Sequence, residues 1–330
     1  SAIGFLAAAL ERRRIAGAAP FTVLSCDNLS ANGHTVGRLV TQFAALKSPD
    51  LAKWIQAEVA FPSTMVDRSV PETTDADRAA VSSALGMTDA WPVVTEPFTQ
   101  WIVEDRFSVG RPDFAAAGVQ MVSDVKPFEH MKLRLLNASH SALAYLGYLA
   151  GHETIAATMT NDRFAAFARQ VMEDAAPTLA MPAGTDLPGY SNSLLQRFAN
   201  PALRHRTWQI AMDGSQKLPQ RLLGTIEARL QRGLPIETHA LAVAGWMRYV
   251  TARDEQGHPI DVRDPLASKL AAIAEAAGPV AERLAPALLE VESIFGRLGT
   301  DPRMRKAVIA ALAKLYEIGA QRVVQEFQPA

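Results

Sequence analysis

The feature that most constrains the fold is a change in the sequence pattern near residue 120. From residue 128 onward, apolar residues recur with helical spacing, and the strand-like runs of the first part do not return. Several of these segments begin with a proline at or near the first turn, where its missing N–H costs nothing. The sequence therefore predicts successive helices with short loops at residues 131–150, 162–174, 201–213, 218–232, 235–253, 265–277, 279–298 and 301–324.

The first part of the chain alternates helix-like and strand-like segments. Helices are predicted at residues 5–14 and 44–59, the second interrupted near Pro49. Short apolar runs predict strands at residues 21–25, 91–95 and 101–103. Strands that alternate with helices favour an α/β unit with a largely parallel sheet. The predicted fold class is therefore α/β in the first part followed by a larger all-α part.

The composition argues against two classes of partner. There are 33 basic and 34 acidic side chains, a formal net charge of −1 and no long charge run. Neither a nucleic-acid footprint nor a basic membrane-binding surface is predicted. No run of 18 apolar residues and no signal-peptide layout is found, so we expect a cytoplasmic protein. The single cysteine, Cys26, cannot form an intramolecular disulfide and is expected to be a small buried apolar residue.

Residues 126–143 carry the densest set of chemically useful side chains. On an α-helix, Glu129, Lys132, Asn137 and His140 fall within an arc of about 140°. Neighbouring leucines would partly bury this face, and burial lowers the pKa of a lysine, so that it can act as a general base. The same spacing is also compatible with an ordinary Glu129–Lys132 ion pair and a core histidine. Spacing alone leaves both interpretations open.

The spacing Lys132-x4-Asn137-x2-His140 resembles the catalytic signature of the long-chain mannitol dehydrogenase family. That family includes mannitol 2-dehydrogenase, arabinitol dehydrogenase and fructuronate reductase. Three further blocks look like family landmarks in the same order, and the resemblance covers essentially the whole chain. They are FTVLSCDNLSANG at residues 21–33, FPSTMVDR at residues 61–68 and VEDRF at residues 103–107.

The resemblance implies a two-domain oxidoreductase. Residues 1–120 would be the later part of a Rossmann-like nucleotide-binding domain, and residues 121–330 a helical catalytic and substrate domain. The implied cofactor is NAD, with NADP as the alternative. No G-x-G-x-x-G fingerprint occurs, and Gly33 and Gly37 lack its spacing. We therefore expect the main phosphate-binding segment to lie outside this chain, which leaves a truncated, non-catalytic binding remnant as an alternative of another class.

The resemblance also implies a role for each matching residue. Lys132 would be the general base, Asn28 and Asn137 would stabilise the oxyanion, and His140 would hold the substrate oxygen and orient the base. Asn28 would in addition contact the cofactor. On sequence alone, Asn28, which follows Asp27 and lies just before Asn32-Gly33, is more typical of a turn than of a catalytic donor.

Two acidic residues have implied supporting roles. Glu129 matches a residue near the proton exit route, and Asp67 matches a polar residue that lines the substrate pocket. Without the resemblance, Asp67 beside Arg68 would be interpreted as a local ion pair or a helix cap. No metal site is predicted, because no cluster of three ligands is visible and His152-Glu153 lacks the second histidine of an H-E-x-x-H helix.

The block at residues 200–221 bears on the substrate. Mannitol-type members carry an arginine eight residues before the lysine that matches Lys217, and here that position is Gln209. The block looks more like fructuronate reductases, so the favoured substrate pair is D-mannonate and D-fructuronate, with a polyol as the alternative. Basic residues in this block would pair with the carboxylate, unless they form a solvated helix face. They are Arg204, His205, Arg206 and Lys217. The expected partner is thus a small sugar acid or polyol, and the oligomeric state stays open.

Overall fold

The structure is a computed structural model and describes residues 1–328. The chain divides into two compact units, Ser1–His130 and Met131–Ala330. The first unit contains helices and a small sheet, and the second is helical, so the predicted class of α/β followed by all-α is confirmed. Among the described residues, no helix combines the length and apolarity needed to cross a membrane.

The first unit begins with three helices that pack around a small apolar core. They are α1 (Ala2–Ile15), α2 (Asn32–Lys47) and α3 (Pro49–Glu58). Ser48 ends α2 in an extended conformation, and its hydroxyl accepts the Leu51 N–H at the start of α3. Proline follows at the first position of α3, where its missing N–H costs nothing. The predicted interruption near Pro49 is therefore confirmed, and Leu10, Val40 and Ile55 fill the core between these helices.

A three-stranded sheet occupies the rest of the first unit. Its strands are β1 (Thr64–Asp67), β2 (Gln100–Glu104) and β3 (Gln120–Val122), in that spatial order. The pair β1–β2 is antiparallel, with Asp67 opposite Gln100, and the pair β2–β3 is parallel. The sheet is therefore mixed rather than largely parallel. Helix α4 (Asp75–Leu85) lies between β1 and β2 in the chain and starts with a capping box formed by Thr74 and Asp77.

Two of the three predicted strands are absent. Residues 21–25 run outside any strand, and their Val23 N–H donates to the Ala60 carbonyl over 3.1 Å. Residues 91–95 form a loop in which Trp91 is 88% exposed and Pro92 has no N–H to donate. Their apolar side chains suggested a buried strand, but the segment is largely solvent-facing. Cys26, predicted to be buried, is exposed.

The second unit is a bundle of helices around the nearly fully buried α6 (Ala138–Leu149) and α13 (Glu237–Tyr249). Helix α5 (Lys126–Met131) leads into a π-helical turn (Lys132–Asn137), and α6 follows it. A second π-helical turn (Pro219–Leu223) joins two later helices. The remaining helices are α7 (Ile155–Met159), α8 (Asp162–Ala175), α9 (Leu187–Phe198), α10 (Thr207–Ala211), α11 (Gly214–Leu218), α12 (Gly224–Gln231), α14 (Ala267–Ala277), α15 (Ala281–Leu289), α16 (Glu292–Phe295) and α17 (Pro302–Glu326).

Small residues allow the central helices to approach closely. A Cβ added at Gly214 would lie 2.4 Å from Nε1 of Trp246, and one at Gly245 would lie 2.9 Å from Cδ2 of Leu146. Heavy atoms in contact normally lie about 3.5–4.0 Å apart, so neither position has room for a side chain. The aromatic residues Tyr145 and Trp246 are fully buried there. This packing holds α6, which carries His140, in a fixed position.

Candidate active site

Lys132 and Asn137 lie at the two ends of the first π-helical turn. The turn closes with a hydrogen bond from the Ala138 N–H to the Leu133 carbonyl, five residues back. Such turns occur often at functional sites because the extra residue changes where side chains point. The angular spacing of a continuous α-helix therefore does not apply between Glu129 and His140. Asn137 is 4% exposed, whereas Lys132 is half-buried.

His140 is buried against two rings on other segments. Its imidazole stacks on Phe198 with ring centroids 4.9 Å apart and planes inclined by 13°, and His205 approaches edge-on at 4.9 Å. Burial holds the pKa of His140 well below its ordinary value, and nearby positive groups lower the pKa further. Those groups belong to His205, Arg221, Arg197 and Lys217. At neutral pH His140 is therefore an uncharged imidazole that can both donate and accept a hydrogen bond.

Lys217 on α11 is half-buried beside a second cation. Burial, followed by the charge of Arg221, lowers the pKa of Lys217 to about 8. Its Nζ donates to the Ile210 carbonyl over 3.3 Å. The Asp213 and Asp264 carboxylates oppose this pKa shift, so part of the positive charge at Lys217 is already offset. The two cations in this poorly solvated region still provide donors for an anion.

Arg221 is a candidate that the sequence reasoning missed. It lies on the second π-helical turn, and its guanidinium donates to Oγ of Ser141 over 2.9 Å, next to His140 in the chain. Burial lowers the pKa of Arg221, although an arginine stays charged at neutral pH. The four-residue spacing from Lys217 was the available clue, since residues four apart share a helix face.

The other predicted substrate residues differ in their surroundings. His205 is half-buried and contacts His140 through its ring. Arg206 is exposed, with Nε 3.9 Å from the Glu153 carboxylate, as expected for a weak surface ion pair. Gln209 is half-buried on α10. Arg204 is exposed in a left-handed conformation with φ of 46°. His205 is thus placed beside His140, whereas Arg204 and Arg206 face solvent.

In the first unit, Asn28 lies on an exposed loop between residues 25 and 31. Its N–H donates to Oδ1 of Asp27 over 3.0 Å. The buried carboxamide of Asn32, the first residue of α2, donates to the Asp27 carbonyl within this loop and accepts the N–H of Thr64 on β1. Asn32 was expected to belong to a turn with Gly33, but both residues start the helix. Asn28 is exposed on this loop, and its contact with a cofactor stays a prediction.

Glu129 and Asp67 lie in the same unit as Asn28. The Glu129 carboxylate accepts the Ala31 N–H over 3.0 Å and also bonds to the Ser30 hydroxyl. Asp67 is 1% exposed at the end of β1. Nε of the neighbouring Arg68 donates to Oγ1 of Thr95 over 2.6 Å and to the Glu96 carbonyl over 3.1 Å. Within residues 1–328, no three histidine, cysteine, aspartate or glutamate side chains form a group that could hold a metal ion.

Two family models match the chain in sequence. The mannitol dehydrogenase Rossmann domain matches residues 1–116, and the mannitol dehydrogenase C-terminal domain matches residues 124–316. The predicted Rossmann-like character of the first part is therefore confirmed.

Relatives match over nearly the whole chain. It is 51% identical to D-mannonate oxidoreductase of Escherichia coli K12, a match that covers 98% of this chain and 67% of the relative. It is 40% identical to mannitol 2-dehydrogenase of Aspergillus fumigatus, covering 98% of this chain and 65% of that protein. The chain thus spans about two thirds of the length of these relatives.

A solved structure shows the same fold. The Pseudomonas fluorescens mannitol 2-dehydrogenase in ternary complex with NAD and D-mannitol superimposes with a TM-score of 0.88 at 39% identity. The match covers 98% of this chain and 66% of that one. The matching family models, the relatives and the shared fold agree: the chain belongs to the mannitol dehydrogenase family.

Proposed function

We propose that the natural gene product that contains this chain is a metal-independent, NAD-dependent dehydrogenase. It interconverts a secondary alcohol and a ketone on a sugar acid, and the favoured pair is D-mannonate and D-fructuronate. The 51% identity to the relative named D-mannonate oxidoreductase supports this substrate class. NAD, when bound, would supply the acceptor for the hydride that leaves the reacting carbon during alcohol oxidation. NADP is the alternative cofactor.

Residues 132–140 carry the proposed chemistry. In the direction of alcohol oxidation, Nζ of Lys132 accepts the hydroxyl proton, and the amides of Asn137 and Asn28 donate to the oxygen as it gains negative charge. The uncharged imidazole of His140 holds the same oxygen and orients the base. Glu129 passes the proton onward to solvent.

The rest of the substrate would be bound by Asp67 and by residues further along the chain than His140. Asp67 lines the pocket, and Gln209 takes the place of the arginine of mannitol-type members. The observation that carries the sugar-acid assignment is the pair of cations at Lys217 and Arg221. Burial lowers the pKa of both, and the charge of Arg221 lowers that of Lys217 further, against the opposing effect of the Asp213 and Asp264 carboxylates. A substrate carboxylate would pair with these two cations, and His205 and Arg206 would contribute further donors.

A substrate panel tests this proposal. The natural gene product is assayed with NADH and NADPH against fructuronate and fructose, following cofactor absorbance. Oxidation of NADH with fructuronate and not with fructose is expected. Preference for fructose would instead establish a polyol dehydrogenase, which the mannitol-binding neighbour of 39% identity supports. No turnover with any pair would favour the non-catalytic binding remnant.

A matched pair of lysine variants tests the role of Lys217. Loss of a charge-assisted hydrogen bond in Lys217→Gln should raise KM for fructuronate about tenfold to a hundredfold and leave KM for fructose nearly unchanged. The control is Lys269→Gln, at an exposed lysine on α14, which should change neither the KM for fructuronate nor the KM for fructose. Because the pKa of Lys217 is about 8, KM for fructuronate should also rise in the unmodified protein as the pH passes 8 and the cation is lost. A pH-independent KM would contradict the assignment.

A further inference from the structure

We propose that Asn32 is the positioning residue for Asn28. Its buried carboxamide ties the loop that carries Asn28 to the start of β1. This inference rests on the proposed role of Asn28 as a donor to the reacting oxygen. The sequence does not point to Asn32, because Asn-Gly is typical of a turn.

Both ends of the Asn32 amide are engaged. Asn32 is 3% exposed, and its Nδ2 lies 3.1 Å from the Ser25 carbonyl, 2.9 Å from the Asp27 carbonyl and 3.1 Å from the Thr64 carbonyl. Its Oδ1 accepts the Thr64 N–H over 2.9 Å. The Thr64 hydroxyl adds a bond of 2.7 Å to the Ser25 carbonyl. One side chain therefore lies within hydrogen-bond distance of two loop carbonyls and of the backbone N–H and carbonyl of a strand residue, and its two amide hydrogens are shared among the three carbonyls.

These bonds act on Asn28 because they hold the backbone that directly precedes it. Asn28 follows Asp27 in the chain, and residues 26–30 are all exposed. On the far side of Asn28, the Glu129 carboxylate accepts the Ala31 N–H over 3.0 Å. The loop is thus fixed at both ends by hydrogen bonds, and Asn32 supplies the end that immediately precedes Asn28.

The frame to which Asn32 ties the loop is itself rigid. At the next residue, a Cβ added at Gly33 would lie 2.4 Å from the Pro62 carbonyl oxygen and 2.6 Å from that of Phe61. The start of α2 is therefore pressed against the backbone that leads into β1, and β1 pairs with β2. Because the backbone of α2 is fixed here, the position of Asn32 is fixed, and its hydrogen bonds fix the loop in turn.

A double-mutant cycle distinguishes positioning from general stabilisation. In the natural gene product, Asn32→Ser should lower kcat with fructuronate about a hundredfold while KM changes less, because a displacement of about 1 Å has an effect of this size. In the Asn28→Ala background, the same substitution should lower kcat only about twofold or less, since the group that Asn32 positions is already gone. The cycle thus measures whether Asn32 acts through Asn28.

Thr64→Val keeps the test decisive if Asn32→Ser does not fold. It preserves side-chain shape, removes the bond to the Ser25 carbonyl, and should show a smaller loss of kcat that again vanishes in the Asn28→Ala background. Thr158→Val is the matched control, because it also deletes a buried hydroxyl-to-carbonyl bond, of 2.6 Å, but lies in the second unit. It should leave kcat unchanged.

The outcomes separate the two proposals. Equal losses of kcat in both backgrounds, with the unmodified protein active, would overturn the role of Asn32 alone. Absence of turnover in the unmodified protein with every sugar acid and ketose would overturn the proposed function, and the role of Asn32 with it.

Discussion

The two proposed oxyanion donors are held in opposite ways. Asn28, in the first unit, lies on an exposed loop that hydrogen bonds from Asn32 and Glu129 fix at its two ends. Asn137, in the second unit, is buried in a helical run next to α6, where packing fixes the backbone. A side-chain amide is therefore positioned by hydrogen bonds to its loop in the first unit and by packing of its helix in the second.

This difference determines what each unit tolerates. A loop held by hydrogen bonds is sensitive to the loss of a single donor, because the carbonyls it served are left unsatisfied. A helix held by packing is sensitive to added or removed volume. Polar substitutions should thus be most damaging around Asn28, and changes of volume most damaging around Asn137.

Among the tests of this difference between the two units, removing each amide in turn should have the largest effect. Asn28→Ala and Asn137→Ala are each expected to lower kcat about 100-fold to 1,000-fold, as for other oxyanion donors. Stability should separate them: Asn137→Ala leaves a cavity and should lower the free energy of unfolding by about 1–3 kcal/mol, whereas Asn28→Ala should change it by less than about 0.5 kcal/mol. Urea unfolding followed by circular dichroism measures this. Equal destabilisation by the two variants would contradict the inference that the two donors are held in different ways.

Burial of polar groups in the second unit predicts sensitivity to acid. His239 on α13 is fully buried, and neither ring nitrogen has a hydrogen-bond partner among the described residues. Burial lowers its pKa to about 4; the Asp174 carboxylate opposes this shift, and Arg229 and Arg134 reinforce it. Between pH 6.5 and 4 the unfolded chain therefore binds a proton that the folded chain does not, so stability falls as the pH falls, by about 3 kcal/mol in total.

Replacement of His239 should remove this contribution. In His239→Leu, the free energy of unfolding should fall less steeply between pH 6.5 and 4, while buried His140 keeps its own contribution of the same sign. The exposed His34 provides the control, His34→Leu, which should retain the wild-type slope. Urea titrations across this range make the comparison, and an unchanged slope in His239→Leu would count against a neutral buried imidazole.

Added volume should have the smallest of these effects. Gly214→Ala would place a Cβ 2.4 Å from Nε1 of Trp246 and 2.7 Å from the Tyr145 hydroxyl. This substitution should lower the free energy of unfolding by about 1–3 kcal/mol. Gly110→Ala in the first unit is the control, because nothing lies within 4 Å of its added Cβ. Thermal unfolding of the two variants checks this. Equal stability would show that the core around α6 yields to added volume.

The sequence predicted some of the periodic elements because their pattern is local. Residues 162–174 were predicted as a helix and form α8 (Asp162–Ala175), and residues 101–103 lie in β2. Helix α9 was missed because Pro188 and Gly189 near its start resemble a loop, although Asp186 caps it. The boundary at residues 120/121 stays a prediction, while the two compact units divide between His130 and Met131.

Only the site residues that match the family's sequence pattern could be predicted. Lys132, Asn137 and His140 came from their spacing, but the π-helical turn between them depends on packing that no local pattern reports. Asn32 resembled a turn residue because Asn-Gly is typical of a turn, and its partner Thr64 lies 32 positions away in the chain. Arg221 was passed over for the same reason, since its contact with Ser141 joins residues 80 positions apart.

The most direct test of the proposed mechanism is the effect of Lys132→Ala on turnover. If Lys132 is the general base at one end of the π-helical turn, the variant of the natural gene product should lose about 100-fold to 10,000-fold in kcat with fructuronate and NADH across the pH range. Its circular dichroism and unfolding midpoint should match the unmodified protein. Activity within about threefold of the unmodified protein would contradict the account, because a general base contributes far more than that.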